Sequence, residues 1–189
     1  MFVIDCETGG LDPDRDALVS VAAIHSESGA EFSMLIRPHD GLALNDEALA
    51  VNGLSRSHLE QEGTDEKDAM GAFAMWLHVF GPQEWMGCNP QFDRSFIDAA
   101  FARHEIGKRL GHRPIDLQAV AWLADSMGLI ELPHGSDGLP KRSLDAILGA
   151  LGLSRGSEWH GAMEDCQLTL AAFKIIKARF SARMQISAQ

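Results

Sequence analysis

An α/β domain with a mixed sheet is the fold this sequence predicts. Three observations carry that reading. The N-terminal segment holds three strand-like runs separated by turn-forming residues. From residue 65 onward, short apolar runs alternate with longer stretches of helical periodicity. No apolar run approaches the roughly 20 residues needed to span a bilayer, so these elements are read as parts of a globular rather than a membrane-spanning fold.

The elements follow in order. Phe2 to Asp5 reads as a short strand. Ala17 to His25 is rich in Val and Ala, and Glu31 to Arg37 is a third strand. Ser26-Glu27-Ser28-Gly29 between the last two is turn-like, so the three should form an antiparallel meander. Short helical turns are expected around Asp46–Val51 and Ser55–Glu62. Thr64 can cap a helix over Asp65–Val79, with acids in its first turn and Gly81-Pro82 beyond its end. Glu84 to Cys88 is a short buried strand. Phe92 to Glu105 is helical and sets Phe92, Phe96, Ile97, Ala100 and Phe101 on one face. Pro114 to Leu117 is a brief strand leading into a helix over Gln118–Met127. Residues 131–142 form a loop with Pro133, Gly135, Gly138 and Pro140. Ser143 caps a helix through Leu151, and the last helix runs from Glu164 to Arg183. The result is a mixed five-stranded sheet, a three-strand antiparallel meander plus two parallel strands, flanked by helices. No repeat, low-complexity tract or linker divides the chain, so residues 1–189 read as one domain.

Composition narrows the function. At 46% apolar residues the chain belongs with soluble globular proteins rather than disordered or membrane ones. It enters its first strand at once, so no signal peptide is read. Cys6, Cys88 and Cys166 are odd in number and lack CxxC spacing, which argues for a reducing cytoplasm and against a disulfide framework or zinc site. The net charge of −11 is concentrated in residues 1–66, with 14 acids and 3 bases; residues 67–189 hold 13 of each. A long electrostatic grip on duplex DNA needs many Lys and Arg contacts and is not expected here, whereas a short grip on the end of a strand is compatible with this charge. Bound cations would neutralise much of the local negative field.

Three blocks carry chemistry: Phe2-Val3-Ile4-Asp5-Cys6-Glu7-Thr8-Gly9-Gly10-Leu11, then Gly87-Cys88-Asn89-Pro90-Gln91-Phe92-Asp93, then His160-Gly161-Ala162-Met163-Glu164-Asp165. Asp5 and Glu7 are two apart on a strand, which puts both carboxylates on one face and Cys6 on the other. Glycines after them permit close approach of a ligand. Asp93 falls in the first turn of a helix that follows a strand, where ligands collect in open α/β sheets. Asp165 lies in the first turn of the last helix. His160, five residues earlier, would diverge from it by about 140° on one helix, so it belongs in the preceding loop, Gly156 to Met163. A mobile loop would suit a base that closes on substrate. Converging carboxylates suit hard divalent cations such as Mg²⁺. Two such ions about 4 Å apart clamp the attacking and leaving oxygens of a phosphodiester, and a histidine can deprotonate the water.

Simpler roles account for some of these residues. An acid in a first helical turn offsets the helix dipole, which covers Asp93 or Asp165 taken alone. It does not cover Asp5 and Glu7 in an apolar strand, where unpaired charge is costly to bury. Asp12, Asp14 and Asp16 resemble the start of a calcium loop, but the glycine and glutamate such a loop needs are both Ala here, so they read as a solvated acidic turn. Trp76, Trp85 and Trp122 lie in apolar elements and are expected in the core. His104, His112 and His134 lack metal-type spacing and fit surface or helix-end positions.

Taken together, the three blocks resemble the DnaQ-like, DEDDh-type 3′–5′ exonucleases of the ribonuclease H-like superfamily. Asp5 to Leu11 looks like the first exonuclease motif, Asn89 to Asp93 the second, and His160 to Asp165 the third in its histidine form. Val51-Asn52-Gly53-Leu54, Ile115-Asp116-Leu117 and Ser143 to Leu148 extend the likeness across nearly the whole chain. The resemblance implies a ribonuclease H-like fold and two Mg²⁺ or Mn²⁺ ions. It implies that Asp5 bridges both ions, that Glu7 and Asp165 hold the water-activating one, that Asp93 supports the second, and that His160 is the base. Thr8, Gly9, Leu11, Asn52, Asn89 and Phe92 would seat the terminal nucleotide of a single-stranded DNA or RNA 3′ end. The family often has histidine where this chain has Asn52. Two alternatives stand beside a DNA exonuclease: an RNA trimmer of the ribonuclease T or oligoribonuclease kind, and a catalytically silent binding domain of the same fold.

Overall fold

The computed structural model describes residues 1–187. The sheet is built from β1 (Phe2–Thr8), β2 (Leu18–His25), β3 (Glu31–Arg37), β4 (Thr64–Asp65), β5 (Trp85–Gly87) and β6 (Ile115–Asp116), in spatial order β4-β3-β2-β1-β5-β6. The meander β1-β2-β3 is antiparallel, and β5 and β6 add in parallel to β1. The helices are α1 (Asp46–Asn52), α2 (Arg56–Glu62), α3 (Glu66–Val79), α4 (Pro90–Arg103), α5 (Leu117–Ser126), α6 (Leu144–Leu151) and α7 (Ala162–Ser187).

Alternation along β1 divides the core. Phe2, Ile4 and Cys6 pack with Met70, Phe73 and Leu77 of α3 and Phe96, Ile97 and Phe101 of α4. Val3 points the other way, toward Leu117 and Ala121 of α5, Ile147 and Leu148 of α6, and Cys166, Ala172 and Ile176 of α7. Phe73, Phe96 and Phe101 are fully buried, each contributing roughly 1.5–3 kcal/mol. A smaller cluster joins Ala17 and Val19 to Leu49 of α1 and Leu59 of α2. The parallel strands β1, β5 and β6 end on the same side, and α4 and α5 start there. That edge is where an open α/β sheet collects ligands.

The structure corrects several expectations. The sheet has six strands rather than five, because Thr64 and Asp65 pair in parallel with Ile36 and Arg37. Asp65, not Thr64, therefore caps α3, accepting a bond from the Lys67 N–H at 3.0 Å. Strand β1 runs on to Thr8, since Asp5, Cys6 and Glu7 keep their register with Ala22, Val21 and Ser20. Trp122 is 50% exposed: α5 buries Leu117, Ala121 and Ala124, and Trp122 falls off that face. Asp16 is not solvated. It is buried and accepts a bond from the Asp12 N–H at 2.9 Å, so it organises the turn after β1. The three cysteines are free. Among the described residues no helix is long and apolar enough to cross a membrane.

Candidate active site

Strand β1 presents Asp5 and Glu7 on the Val3 face, against which α7 packs. Asp165 arrives in the first turn of α7. One ligand oxygen from each of Asp5, Glu7 and Asp165 lies within 4.8 Å of the others. Asp93 stands in the first turn of α4, where Pro90 opens the helix. It lies outside that three-carboxylate set. Its Oδ1 accepts the Cys6 N–H at 3.0 Å, which seats it against the backbone between Asp5 and Glu7. His160 lies in the loop before α7, as the spacing argument requires. Its N–H donates to the Val51 carbonyl at 3.1 Å, and its Nδ1 is 3.9 Å from Asp165 Oδ2.

The cluster is short of positive charge. Burial, and then the charges of Asp93 and Glu7, push Asp5 well above the ordinary carboxylate range. Burial and Asp93 push Glu7 up to about 7, against a downward pull from Arg155. Burial likewise pushes Asp93 up to about 7, although the Cys6 hydrogen bonds oppose it. His160 is shifted down, first by burial and then by Arg155. Glu7 Oε1 is buried with no hydrogen-bond partner.

These features fit a hard divalent cation. The donors are carboxylate oxygens, one of them unsatisfied, and the like charges need a counter-ion. Thiolate ligation does not fit, because burial raises the Cys6 and Cys166 thiols and pushes Cys88 up to about 12.

The expected nucleotide-seating residues line the same edge. Thr8 and Asn52 are joined: the Asn52 Nδ2 donates to the Thr8 carbonyl at 3.2 Å. The Thr8 hydroxyl donates to the Gly10 carbonyl at 2.7 Å. Gly9 is held between two other chain segments, its N–H donating to the Ala17 carbonyl and its carbonyl accepting from the Asn45 N–H. A Cβ there would meet the Ala43 carbonyl oxygen at 2.8 Å. Leu11 projects, 84% exposed. Asn89 adopts φ 65° at the N-cap of α4, and its N–H donates to Asp116 Oδ1 at 3.2 Å. Phe92 packs on Phe96 with ring centroids 5.0 Å apart. Glu7, Asn52, Leu54, His160 and Gly161 share a groove of about 270 Å³ with Ser20 and Ser33.

Sequence reading missed the fastening of the histidine loop. Gly156 N–H and the Ser157 hydroxyl donate to the two Glu164 oxygens at 2.6 and 2.8 Å. Trp159 lies over Gly53, whose φ is 63° and where a Cβ would come within 2.5 Å of the indole. Arg155 bonds both Asp145 and Asp165. A signal for Arg155 existed: it is the one Lys or Arg between Arg142 and Lys174, in a stretch holding Asp145, Glu158, Glu164 and Asp165.

Comparison with known proteins identifies the family of the chain. The family model described as exonuclease, of the RNase T group, matches residues 2–173. Ribonuclease T of Haemophilus influenzae (strain PittEE) is 30% identical over 190 residues, covering 90% of this chain and 76% of that protein. The 3′–5′ DNA exonuclease Cap18 of Escherichia coli is 30% identical over 124 residues, 62% of each. The fold matches E. coli exonuclease I, solved in complex with a dT13 oligonucleotide, with a TM-score of 0.81 at 24% identity, over 98% of this chain. The chain thus spans only 62% of Cap18 and 42% of exonuclease I. On the strength of a match across residues 2–173, this chain belongs to the RNase T exonuclease family.

Proposed function

We propose that this chain hydrolyses the terminal phosphodiester of single-stranded or frayed DNA 3′ ends, releasing nucleoside 5′-monophosphates. The observation that carries the proposal is the convergence of Asp5, Glu7 and Asp165 with His160 alongside. Divalent-metal dependence is general for the family. Asp5, Glu7 and Asp165 would hold one Mg²⁺ or Mn²⁺ ion, and Asp5 with Asp93 a second. Bound there, such ions supply Lewis acidity to the phosphate and stabilise the leaving oxygen.

The chain's own residues do the rest. His160 is held below its ordinary pKa, so it is neutral near pH 7 and can take a proton. Its Nδ1 side faces Asp165, which leaves Nε2 to accept that proton from the attacking water. Water oxygen bonds to phosphorus, the bond to O3′ of the penultimate nucleotide breaks, and O3′ takes up a proton. No covalent nucleophile is needed, and the raised thiols do not offer one. A silent binding domain of this fold would have no use for carboxylates whose burial is costly.

The ribonuclease T of H. influenzae, aligned over 90% of this chain, favours a second reading, 3′ trimming of RNA. The test is incubation with end-labelled single-stranded DNA and RNA of one sequence, with Mg²⁺ and with EDTA. Faster release from DNA supports the first reading and faster release from RNA the second. Release from neither in Mg²⁺ sinks both.

A further inference from the structure

We propose that Arg155 is a positioning residue of the metal site: its guanidinium holds the Asp165 carboxylate in place and ties it to the histidine loop. This inference rests on the reading of Asp5, Glu7 and Asp165 as cation ligands.

Arg155 lies in the loop between α6 and α7, five residues before His160. Its side chain is only 10% exposed, unusual for an arginine in a loop. Its Nε donates to Asp145 Oδ1 at 2.8 Å, and its Nη1 donates to Asp165 Oδ1. Asp145 stands in the first turn of α6 and Asp165 in the first turn of α7. One planar guanidinium therefore links two helix starts and the loop between them. A rigid fork of donors suits that task, whereas an ammonium could serve only as a point charge. The Asp165 carboxylate is engaged at Oδ1 by Arg155, while its Oδ2 faces His160 at 3.9 Å. Fixing one oxygen fixes the plane of the carboxylate and so the direction in which the other can meet a cation.

Hydrogen-bonded supports of this kind set metal affinity in other sites, and losing one typically costs about 10–100-fold. Electrostatics alone predicts the reverse. A guanidinium beside a divalent ion repels it, so its removal would tighten binding. The sign of the change decides between positioning and simple charge.

The experiment is Mn²⁺ binding to the full chain without nucleic acid, followed by electron paramagnetic resonance and calorimetry. It is run at pH 8.5 so that protons do not compete for the carboxylates. We expect Arg155→Ala to weaken Mn²⁺ binding about 10–100-fold. Arg155→Lys should lie closer to that variant than to wild type, because it keeps the charge and loses the two-point bridge. Asp145→Ala touches no cation ligand and is 60% exposed, so it should fold normally and weaken binding in the same direction by a smaller factor. Unchanged or tighter binding in Arg155→Ala overturns the proposal, as does wild-type affinity in Arg155→Lys. Asp5→Ala is the control. If it loses Mn²⁺ while the Arg155 and Asp145 variants match wild type, only this inference falls. If it binds like wild type, the cluster is not the metal site and both readings fall.

Discussion

The Asp93 carboxylate accepts the backbone N–H of Cys6 at 3.0 Å across 87 positions of sequence. That bond joins the start of α4 to the strand between Asp5 and Glu7. It places a fourth carboxylate, itself buried, beside three others that converge on one point. Most of the site's behaviour follows from that crowding.

The first prediction concerns stability. Glu7 is raised to about 7 in the folded chain from a reference of 4.5. A raised acid contributes stability that is fully present below its unfolded pKa and is lost as pH climbs through the folded value. The window is therefore about pH 4.5 to 7, and the loss for Glu7 is on the order of 3 kcal/mol. In EDTA, Glu7→Gln should melt higher than wild type at pH 7.5, with the gap closing at pH 4.5. Added Mn²⁺ should raise the wild-type melting temperature at pH 7.5 and leave the variant nearly unmoved. Equal melting temperatures in EDTA at both pH values would count against the charge-crowding account.

The second concerns His160. His160→Ala should leave Mn²⁺ affinity close to wild type while single-turnover hydrolysis falls about 10²–10⁴-fold, the range for a lost acid–base group. The wild-type rate should rise with pH and level off once His160 is neutral. Burial and Arg155 lower its pKa, so that rise is centred below 6.5. A folded His160→Ala protein with near wild-type rates would remove His160 from the base role.

How much of this could be read beforehand depended on the kind of signal. Asp5 and Glu7 stood out because charge in an apolar strand has no cheap structural use. Placing His160 in a loop needed only helix geometry. By contrast, β4 is two residues long and exists only because β3 offers it an edge. Trp122 was misassigned because composition does not fix which face of α5 is buried; Leu117, Ala121 and Ala124 define that face. The tie from Arg155 to Asp165 spans a loop, and no periodicity reports such a contact. A short loop of glycines and serines reads as mobile, yet Glu164, Val51 and Gly53 hold it at several points.

The third prediction concerns the path of the strand. Lys141 and Arg142 are exposed and line an open groove of about 700 Å³ with Gln118 and Ser143, on the side where β6 ends. As the exposed cations of that groove, they are expected to contact the phosphates of a bound strand. Lys141→Ala with Arg142→Ala should weaken binding of a single-stranded oligonucleotide in EDTA. It should also flatten the dependence of log affinity on log salt by roughly 0.7 per lost contact. An unchanged slope by fluorescence anisotropy would rule out this path.

The fourth concerns strandedness. With 14 acids against 3 bases in residues 1–66, a long electrostatic grip on a duplex is not expected. Single strands and frayed ends should be digested faster than blunt duplex. Time courses on matched substrates check this, and faster digestion of the blunt duplex would contradict it.

The chemical identity of the products tests metal-dependent 3′ hydrolysis by this chain most directly. A single-stranded oligonucleotide is incubated with wild type and with Asp5→Ala, in Mg²⁺ and in EDTA, and the products are resolved by mass. Wild type in Mg²⁺, and not in EDTA, should remove nucleoside 5′-monophosphates one at a time from the 3′ end. Products ending in a 3′-phosphate, release that persists in excess EDTA, or equal release by Asp5→Ala would contradict it.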